Sequence, residues 1–109
     1  MKTWLLAGLI ALAMIQGAFQ SLPRCTAINP DSGKVGDAIT AKGENLDKAT
    51  ISGVYLTDGS KDTKTVISEQ TGTEVKFKVP EIKPGRYHLA MLTANGASMI
   101  EQPVVLTVE

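Results

Sequence analysis

A strict alternation of apolar and polar residues over positions 73–80 is the feature that most constrains the fold of this chain. Val75, Phe77 and Val79 occupy every second position, with a lysine between each pair. Successive side chains of a β-strand point to opposite faces, so this pattern places the apolar set on a core and the lysines in water. No stretch after Ser21 repeats apolar residues at helical spacing over about 11 or more residues. The sequence therefore predicts an all-β fold.

Further alternating segments extend this prediction along the chain. We expect inward-facing residues near positions 39–41, 54–56, 87–91 and 104–108, and a shorter strand at 66–67 that is suited to a sheet edge. The turn signals between them are Asp58-Gly59-Ser60, Pro84-Gly85 and Asn95-Gly96. Asn-Gly is the strongest short hairpin signal, and proline and glycine favour turns through their backbone geometry. About seven short strands separated by such turns predict an immunoglobulin-like β-sandwich.

The N-terminal segment differs in composition from the rest of the chain. Lys2 precedes a continuous apolar run over residues 4–15. A positive charge followed by such a run is typical of a secretory signal peptide, whereas a membrane span needs roughly 20 apolar residues. We predict a signal helix over residues 1–20, cleaved near Gln20, and a secreted, periplasmic or cell-surface location. An uncleaved signal that anchors the protein in a membrane is the alternative.

Charge and cysteine content exclude further classes. A cut after Gln20 leaves a net charge of about −1 with both signs interspersed, so we expect no binding to nucleic acid. Cys25 is the sole cysteine, and the chain cannot form an internal disulfide. We interpret it as a semi-buried or exposed thiol, with an intermolecular disulfide as the alternative. The hydrophobic core must therefore stabilise the domain without a cross-link.

The segment over residues 28–46 resembles the opening of IPT/TIG domains, which begin with a proline, two spaced glycines, an alternating strand and a Gly-x-Asn turn. The matching positions are Pro30, Gly33, Gly36, Ile39, Gly43, Asn45 and Leu46. Residues 79–89 and 95–108 look like later strands of the same family, so the resemblance covers a predicted domain over 24–109.

Two features depart from the family pattern. Ala41 stands where a larger apolar residue is usual, and residues 58–71 form a longer and more polar segment. The resemblance implies an immunoglobulin-like sandwich of the E-set type, held without a disulfide, and the short signal segment indicates a small exported bacterial protein. It implies no particular function, because domains of one fold serve many functions.

Catalytic and metal-binding patterns are lacking. His88 is the sole histidine, is expected on an outer sheet face, and has no second ligand at zinc spacing. A Cys25–His88 nucleophile pair is the weakest candidate. The loop with Asp58 and Asp62 also contains Lys61, and we interpret it as a polar hairpin rather than a calcium site. We predict no catalytic residue, no metal and no cofactor, and hence no enzyme.

The two tyrosines lead to different predictions. Tyr87 follows the Pro84-Gly85 corner, and in immunoglobulin-like sandwiches a tyrosine at such a corner bonds its hydroxyl to nearby backbone. Tyr55 lies between inward-facing Val54 and Leu56, so its side chain should point outward. Tyr55 either covers the outer face of its sheet or is the one candidate ligand-binding residue.

Two functional hypotheses remain. The first is an exported interaction or structural module whose partner is another extracytoplasmic protein. Its edge strand at residues 65–70 could add to a partner's sheet, so a proline at Val66 or Ile67 should weaken binding without unfolding the domain. The second is a cell-surface carbohydrate-binding module, which would need an aromatic platform of which Tyr55 is nearly the sole outward member. Membrane contact is expected only through an uncleaved signal.

Overall fold

The computed structural model describes residues 22–109. The predicted signal helix over residues 1–20 lies outside these described residues. The strands are β1 Arg24–Asn29, β2 Ser32–Gly33, β3 Ala38–Glu44, β4 Ile51–Thr57, β5 Asp62–Lys64, β6 Val66–Gln70, β7 Glu74–Lys78, β8 Gly85–Thr93 and β9 Met99–Val108. The described part of the chain contains no helix, so the prediction of an all-β fold is confirmed.

The nine strands form a sandwich of two sheets. One sheet has the order β1-β3-β7-β6, and the other has the order β2-β9-β8-β4-β5. All neighbours pair antiparallel except β2 and β9, which pair parallel. The structure has two strands more than the predicted number of about seven, and the two shortest are β2 and β5, with two and three residues. Strands of that length are too short to show a period-2 pattern.

The core lies between the sheets and consists largely of residues that the alternation selected. Its fully buried members include Ile39, Ala41, Val54, Leu56, Val75, Phe77, Leu89, Met91 and Leu106. Phe77 is the largest of them and lies beside Ile39 in the β3–β7 register. Burying one such side chain stabilises the fold by roughly 1.5–3 kcal/mol. This layer therefore supplies the main stabilisation of a domain that has no internal disulfide.

The close approach of β1 to β3 explains the glycine and asparagine of the Gly-x-Asn turn. A Cβ atom on Gly43 would overlap the backbone carbonyl of Arg24, so only glycine fits there. Asn45 has a φ of 58°, in the left-handed region that asparagine tolerates better than most residues. Its amide nitrogen also donates to the carbonyl of Leu22 at 3.2 Å. These residues fasten the N-terminal end of the domain to β3.

The long polar segment over residues 58–71 is where the chain changes sheets. It contains β5 at the edge of the five-stranded sheet and β6 at the edge of the four-stranded sheet, with Thr65 between them. The hydroxyl and the N–H of Thr65 both donate to the carbonyl of Val54, at 2.8 and 2.9 Å. The predicted edge position of the strand that contains Val66 and Ile67 is confirmed.

Candidate functional site

The structure corrects the prediction for Cys25. Its side chain is fully buried rather than semi-buried or exposed, and its Sγ donates to the carbonyl of Ala27 at 3.4 Å. Burial raises the pKa of the Cys25 thiol, and the backbone bonds with Ala27 and Lys42 oppose this only in part. Both burial and a raised pKa lower the reactivity of a thiol. An intermolecular disulfide would require the domain to open around Cys25.

A nucleophile–base pair of Cys25 and His88 is not assembled. Cys25 lies on β1 in the four-stranded sheet and faces the core. His88 lies on β8 in the five-stranded sheet, opposite Thr57 and Val105, and is exposed on the outer face as predicted. The core separates the two side chains. This leaves His88 as a solvated surface residue.

The hairpin around Asp58 has the polar geometry that its sequence predicts. Its Oδ1 accepts the N–H of Ser60 at 2.9 Å, the Ser60 hydroxyl at 3.0 Å and the N–H of Lys61 at 2.8 Å. These bonds, led by the Ser60 N–H, lower the pKa of the exposed Asp58 carboxyl. Among residues 22–109 no group of three histidine, cysteine, aspartate or glutamate side chains is placed to hold a metal ion.

The predicted corner bond of Tyr87 is present. Its hydroxyl donates to the carbonyl of Lys83 at 2.7 Å, and its ring packs against the edge of the core. Gly85 has a φ of 157°, which favours glycine, and a Cβ there would only make ordinary contact with the ring, at 3.7 Å from Tyr87 Cε2. The bond locks the connection between β7 and β8, where the chain crosses from one sheet to the other.

Tyr55 lies on the outer face of the five-stranded sheet, as the alternation predicts. In the register it stands beside Ala90 of β8 and Lys64 of β5. Its ring reaches over Gly53, where an added Cβ would lie 3.2 Å from Tyr55 Cε1. Ala90 does not belong to the core between the sheets, yet it is only 2% exposed, so neighbouring side chains on the outer face cover it. Tyr55 therefore covers part of its own sheet while one side of it remains in contact with water.

Three apolar side chains cross this outer face from strand to strand, and we name them the outer strip: Tyr55 on β4, Leu92 on β8 and Met99 on β9. The Tyr55 ring lies over Gly53, Gly53 pairs with Leu92, and Leu92 pairs with Met99, so the three side chains follow one another across the sheet. Tyr55 and Leu92 are half-buried, and Met99 is 39% exposed. A shallow depression of about 330 Å³, lined by Arg86, His88 and Val105, lies on the same face. The outer face thus carries both the outer strip and a depression that includes one positively charged side chain, Arg86.

A second concave surface, which we name the side groove, lies between the β4–β5 hairpin and the connection from β7 to β8. Its volume is about 730 Å³. Its uncharged lining consists of Val35, Thr63, Ile82 and Tyr87. Its charged rim consists of Asp58, Lys61, Asp62, Lys64, Glu81 and Lys83. Sequence reasoning did not bring these residues together, because they come from three separate segments of the chain.

Sequence reasoning also missed Gln102, a buried structural residue. It is 3% exposed, and its Oε1 accepts the N–H of Cys25 at 2.6 Å. Its Nε2 donates to the carbonyls of Pro23 and Ile100, both at 3.3 Å. A glutamine beside Pro103 in the last strand is the only sequence signal, and it does not indicate burial.

Within residues 22–109 no helix has the length and apolar character that crossing a bilayer requires.

A family model and a relative of known activity both match the sequence of this chain. The family model of the IPT/TIG domain matches residues 23–108. A cyclomaltodextrin glucanotransferase from Thermoanaerobacterium thermosulfurigenes is 35% identical over 71 residues, which are 65% of this chain and 9% of that protein. The chain therefore spans less than a tenth of this relative.

Solved structures share the fold at low sequence identity. The gamma-CGTase of an alkalophilic Bacillus clarkii superimposes with a TM-score of 0.66 at 20% identity, over 81% of this chain and 12% of its own. A Bacteroides thetaiotaomicron protein of unknown function gives 0.70 at 16% identity, over 83% and 22%. SGBP-B of the Bacteroides ovatus mixed-linkage glucan utilization locus, in complex with a mixed-linkage heptasaccharide, gives 0.58 at 18% identity, over 82% and 23%. In each case the matching part is a minor portion of a longer chain.

Proposed function

The chain belongs to the IPT/TIG family, and from this premise we propose that it is an exported, non-enzymatic module that packs the outer face of its five-stranded sheet against another extracytoplasmic protein. In this proposal a signal peptide over residues 1–20 directs export, and residues 24–109 form the interacting domain. The protein would act at the cell surface, in the periplasm or outside the cell.

The outer strip is the observation that carries this proposal. Tyr55, Leu92 and Met99 align on three adjacent strands and leave apolar surface in water. Burying such surface stabilises a complex by about 25 cal/mol per Å² before the costs of association. Aromatic residues and methionine are enriched in the cores of protein interfaces. Lys64 and Glu101, at the margins of the row, supply a polar rim.

The position of the domain in related proteins also supports a protein partner. In the relatives and solved structures that this chain resembles, the matching domain occupies less than a quarter of the protein. Such a domain works beside other domains of its own chain. We infer that in this protein the outer face takes part in a comparable contact, with an extracytoplasmic protein as the partner.

The outer face is better suited to this contact than the β6 edge. β6 has five residues and a register shift between Ile67 and Glu69, and Glu69 forms an ion pair with Lys76 at 3.1 Å. Short length, bulges and charged side chains are the features that prevent an edge strand from pairing with another chain. Ile67 also packs against the core, so a proline there would disturb the fold. Val66, 70% exposed, is the position at which a proline tests edge addition.

A crosslinking experiment tests the proposal. The protein is tagged at Glu109, expressed in its own host, crosslinked mildly and captured from the extracytoplasmic fraction for mass spectrometry. We expect one stoichiometric protein partner for the unmodified chain and loss of that partner in Leu92→Lys/Met99→Lys. Val66→Lys is the matched control, because it changes an exposed apolar residue of the other sheet.

The same experiment can contradict the proposal in two ways. A partner retained by the folded Leu92→Lys/Met99→Lys variant, or no partner at all, would exclude the outer strip as a protein-binding surface. Circular dichroism of all three proteins establishes that each is folded. The N-terminal peptide in the mass spectrum tests separately whether the signal is cleaved near Gln20.

Carbohydrate binding is the second candidate, and a specific observation favours it. One structure that shares the fold holds a mixed-linkage heptasaccharide, and the matching curated relative is a cyclomaltodextrin glucanotransferase. On this chain Tyr55 would be the stacking residue, since it is the outward aromatic side chain of the outer strip. Retention on a polysaccharide column that Tyr55→Ala abolishes would support this candidate, and failure to bind a glycan panel would exclude it.

A further inference from the structure

We propose that the side groove binds an uncharged, hydroxyl-rich ligand, a short stretch of a neutral oligosaccharide, with the Tyr87 ring as its stacking surface. The groove lies at the side of the sandwich, next to β5 and the β7–β8 connection, whereas the outer strip lies on the sheet face. The inference goes beyond the proposed function, and each of the two can fail without the other.

The aromatic surface in the groove is held in place by the fold. The Tyr87 hydroxyl donates to the Lys83 carbonyl at 2.7 Å, and the ring packs against the core. A ring fixed before binding loses little conformational freedom when a ligand stacks on it. Ile82, half-buried, and Val35, 46% exposed, extend the apolar surface beside it. The C–H face of a sugar ring can pack against this apolar surface.

The charged rim provides both hydrogen-bond donors and acceptors. Six charged side chains line the groove, three carboxylates and three ammonium groups. The single ion pair found within residues 22–109 joins Lys76 and Glu69, outside the groove, so the rim charges do not neutralise one another in close pairs. Asp62 and Glu81 can accept from hydroxyls, and Lys61, Lys64 and Lys83 can donate to them. Such charge-assisted bonds are stronger than bonds between neutral groups.

The balance of charge favours a neutral ligand over a charged one. An anionic ligand attracted by Lys61 or Lys83 would meet the carboxylates of Asp62 and Glu81 in the same groove, and a cation would meet the lysines. Hydroxyl groups can bond to both kinds of side chain, because each hydroxyl is a donor and an acceptor. The volume of about 730 Å³ lies within the roughly 300–1,000 Å³ of small-molecule sites.

The variant that tests this inference changes only exposed side chains, so we expect it to fold as the unmodified protein does. In Asp62→Asn/Glu81→Gln/Lys83→Gln, which we name the groove variant, each altered side chain is exposed. Lys83 supports Tyr87 through its backbone carbonyl, which the substitution keeps. The matched control is Asp31→Asn/Glu44→Gln/Lys48→Gln, which removes the same charges from exposed positions outside the groove.

Nuclear magnetic resonance titration of the full domain with maltohexaose and cellohexaose is the measurement. We expect saturable shifts at Thr63, Ile82 and Tyr87 with at least one of these neutral probes. The groove variant should bind at least about tenfold more weakly, a loss of about 1.4 kcal/mol. The control variant and Leu92→Lys/Met99→Lys should bind as the unmodified protein does.

Several results would overturn the inference. These are the absence of saturable shifts with both neutral probes, equal binding by the groove variant, and shifts centred on Tyr55 and Leu92. Binding of an oligogalacturonate or a glucosamine oligomer in preference to the neutral probes would overturn it as well. Loss of the crosslinked protein partner in Leu92→Lys/Met99→Lys bears on the outer strip alone, so failure of the groove and failure of the proposed function are distinguishable.

Discussion

Replacing Gln102 with methionine should destabilise the domain, although the residue lies close to the end of the chain. Its side chain joins the two sheets, because it bonds the Cys25 N–H of β1 and the Pro23 carbonyl from its place on β9. Methionine has a similar length and no strong hydrogen-bonding group. The substitution therefore removes the bonds without opening a large cavity.

The magnitude follows from the groups left without a partner. A buried N–H without an acceptor costs about 1–3 kcal/mol, and each ordinary hydrogen bond that is lost removes about 0.5–1.5 kcal/mol. Without Gln102 the buried N–H of Cys25 loses its acceptor, and the ordinary bonds to the carbonyls of Pro23 and Ile100 are lost as well. Relief from burying the amide offsets part of this, so we expect a loss of about 2–4 kcal/mol. For a domain of this size that lowers the Tm by roughly 8–32 °C.

Urea unfolding followed by circular dichroism measures this free energy, and amide exchange at Cys25 reports the local effect. Glu101→Met is the control, since it introduces the same side chain at the exposed neighbouring position. If the free energy of unfolding of Gln102→Met lies within about 0.5 kcal/mol of the control, the range of neutral surface changes, the bridge does not stabilise the sandwich and our reasoning is wrong.

Two further predictions concern β1. Because burial raises the pKa of the Cys25 thiol, a maleimide should label it at neutral pH only as fast as the domain opens, and rapid labelling would contradict its burial. The unfolded thiol ionises first as pH rises, so the contribution of Cys25 to stability should be constant below about pH 8.5 and fall above it, and Cys25→Ala should remove this part of the fall. Gly43→Ala should displace β1 and cost about 1–3 kcal/mol or more, because its Cβ would overlap the Arg24 carbonyl. Gly72→Ala is its control, with the nearest atom 3.9 Å away, and equal melting temperatures of the two variants would exclude the predicted overlap.

Much of the fold could be predicted from local patterns. The alternation around Val75 and Phe77 identified core residues correctly, and the same reasoning placed Tyr55 and His88 on an outer face. The corner bond of Tyr87 was also predicted, because proline and glycine before a strand mark the corner that such a tyrosine closes. In each case the signal lies within a few residues of the feature that it predicts.

The prediction for Cys25 was wrong for a reason that lies outside its own segment. β1 has a register shift between Cys25 and Ala27, so alternation in that strand does not determine which side chains face the core. The Cys25 N–H is bonded by Gln102, 77 positions further along the chain. No pattern around either residue indicates the other.

The sequence by itself determined the class of fold, the family and the face of the sheet on which most side chains lie, because these depend on short-range periodicity and turn chemistry. Tertiary structure alone decided that Gln102 joins the two sheets, that Leu92 and Met99 extend the row begun by Tyr55, and that the segments around Thr63 and Tyr87 enclose one groove. The physical reason is that a strand's neighbours follow from the order of strands in each sheet and from where the chain crosses between sheets. That order is settled by packing of the whole core, and no single segment encodes it.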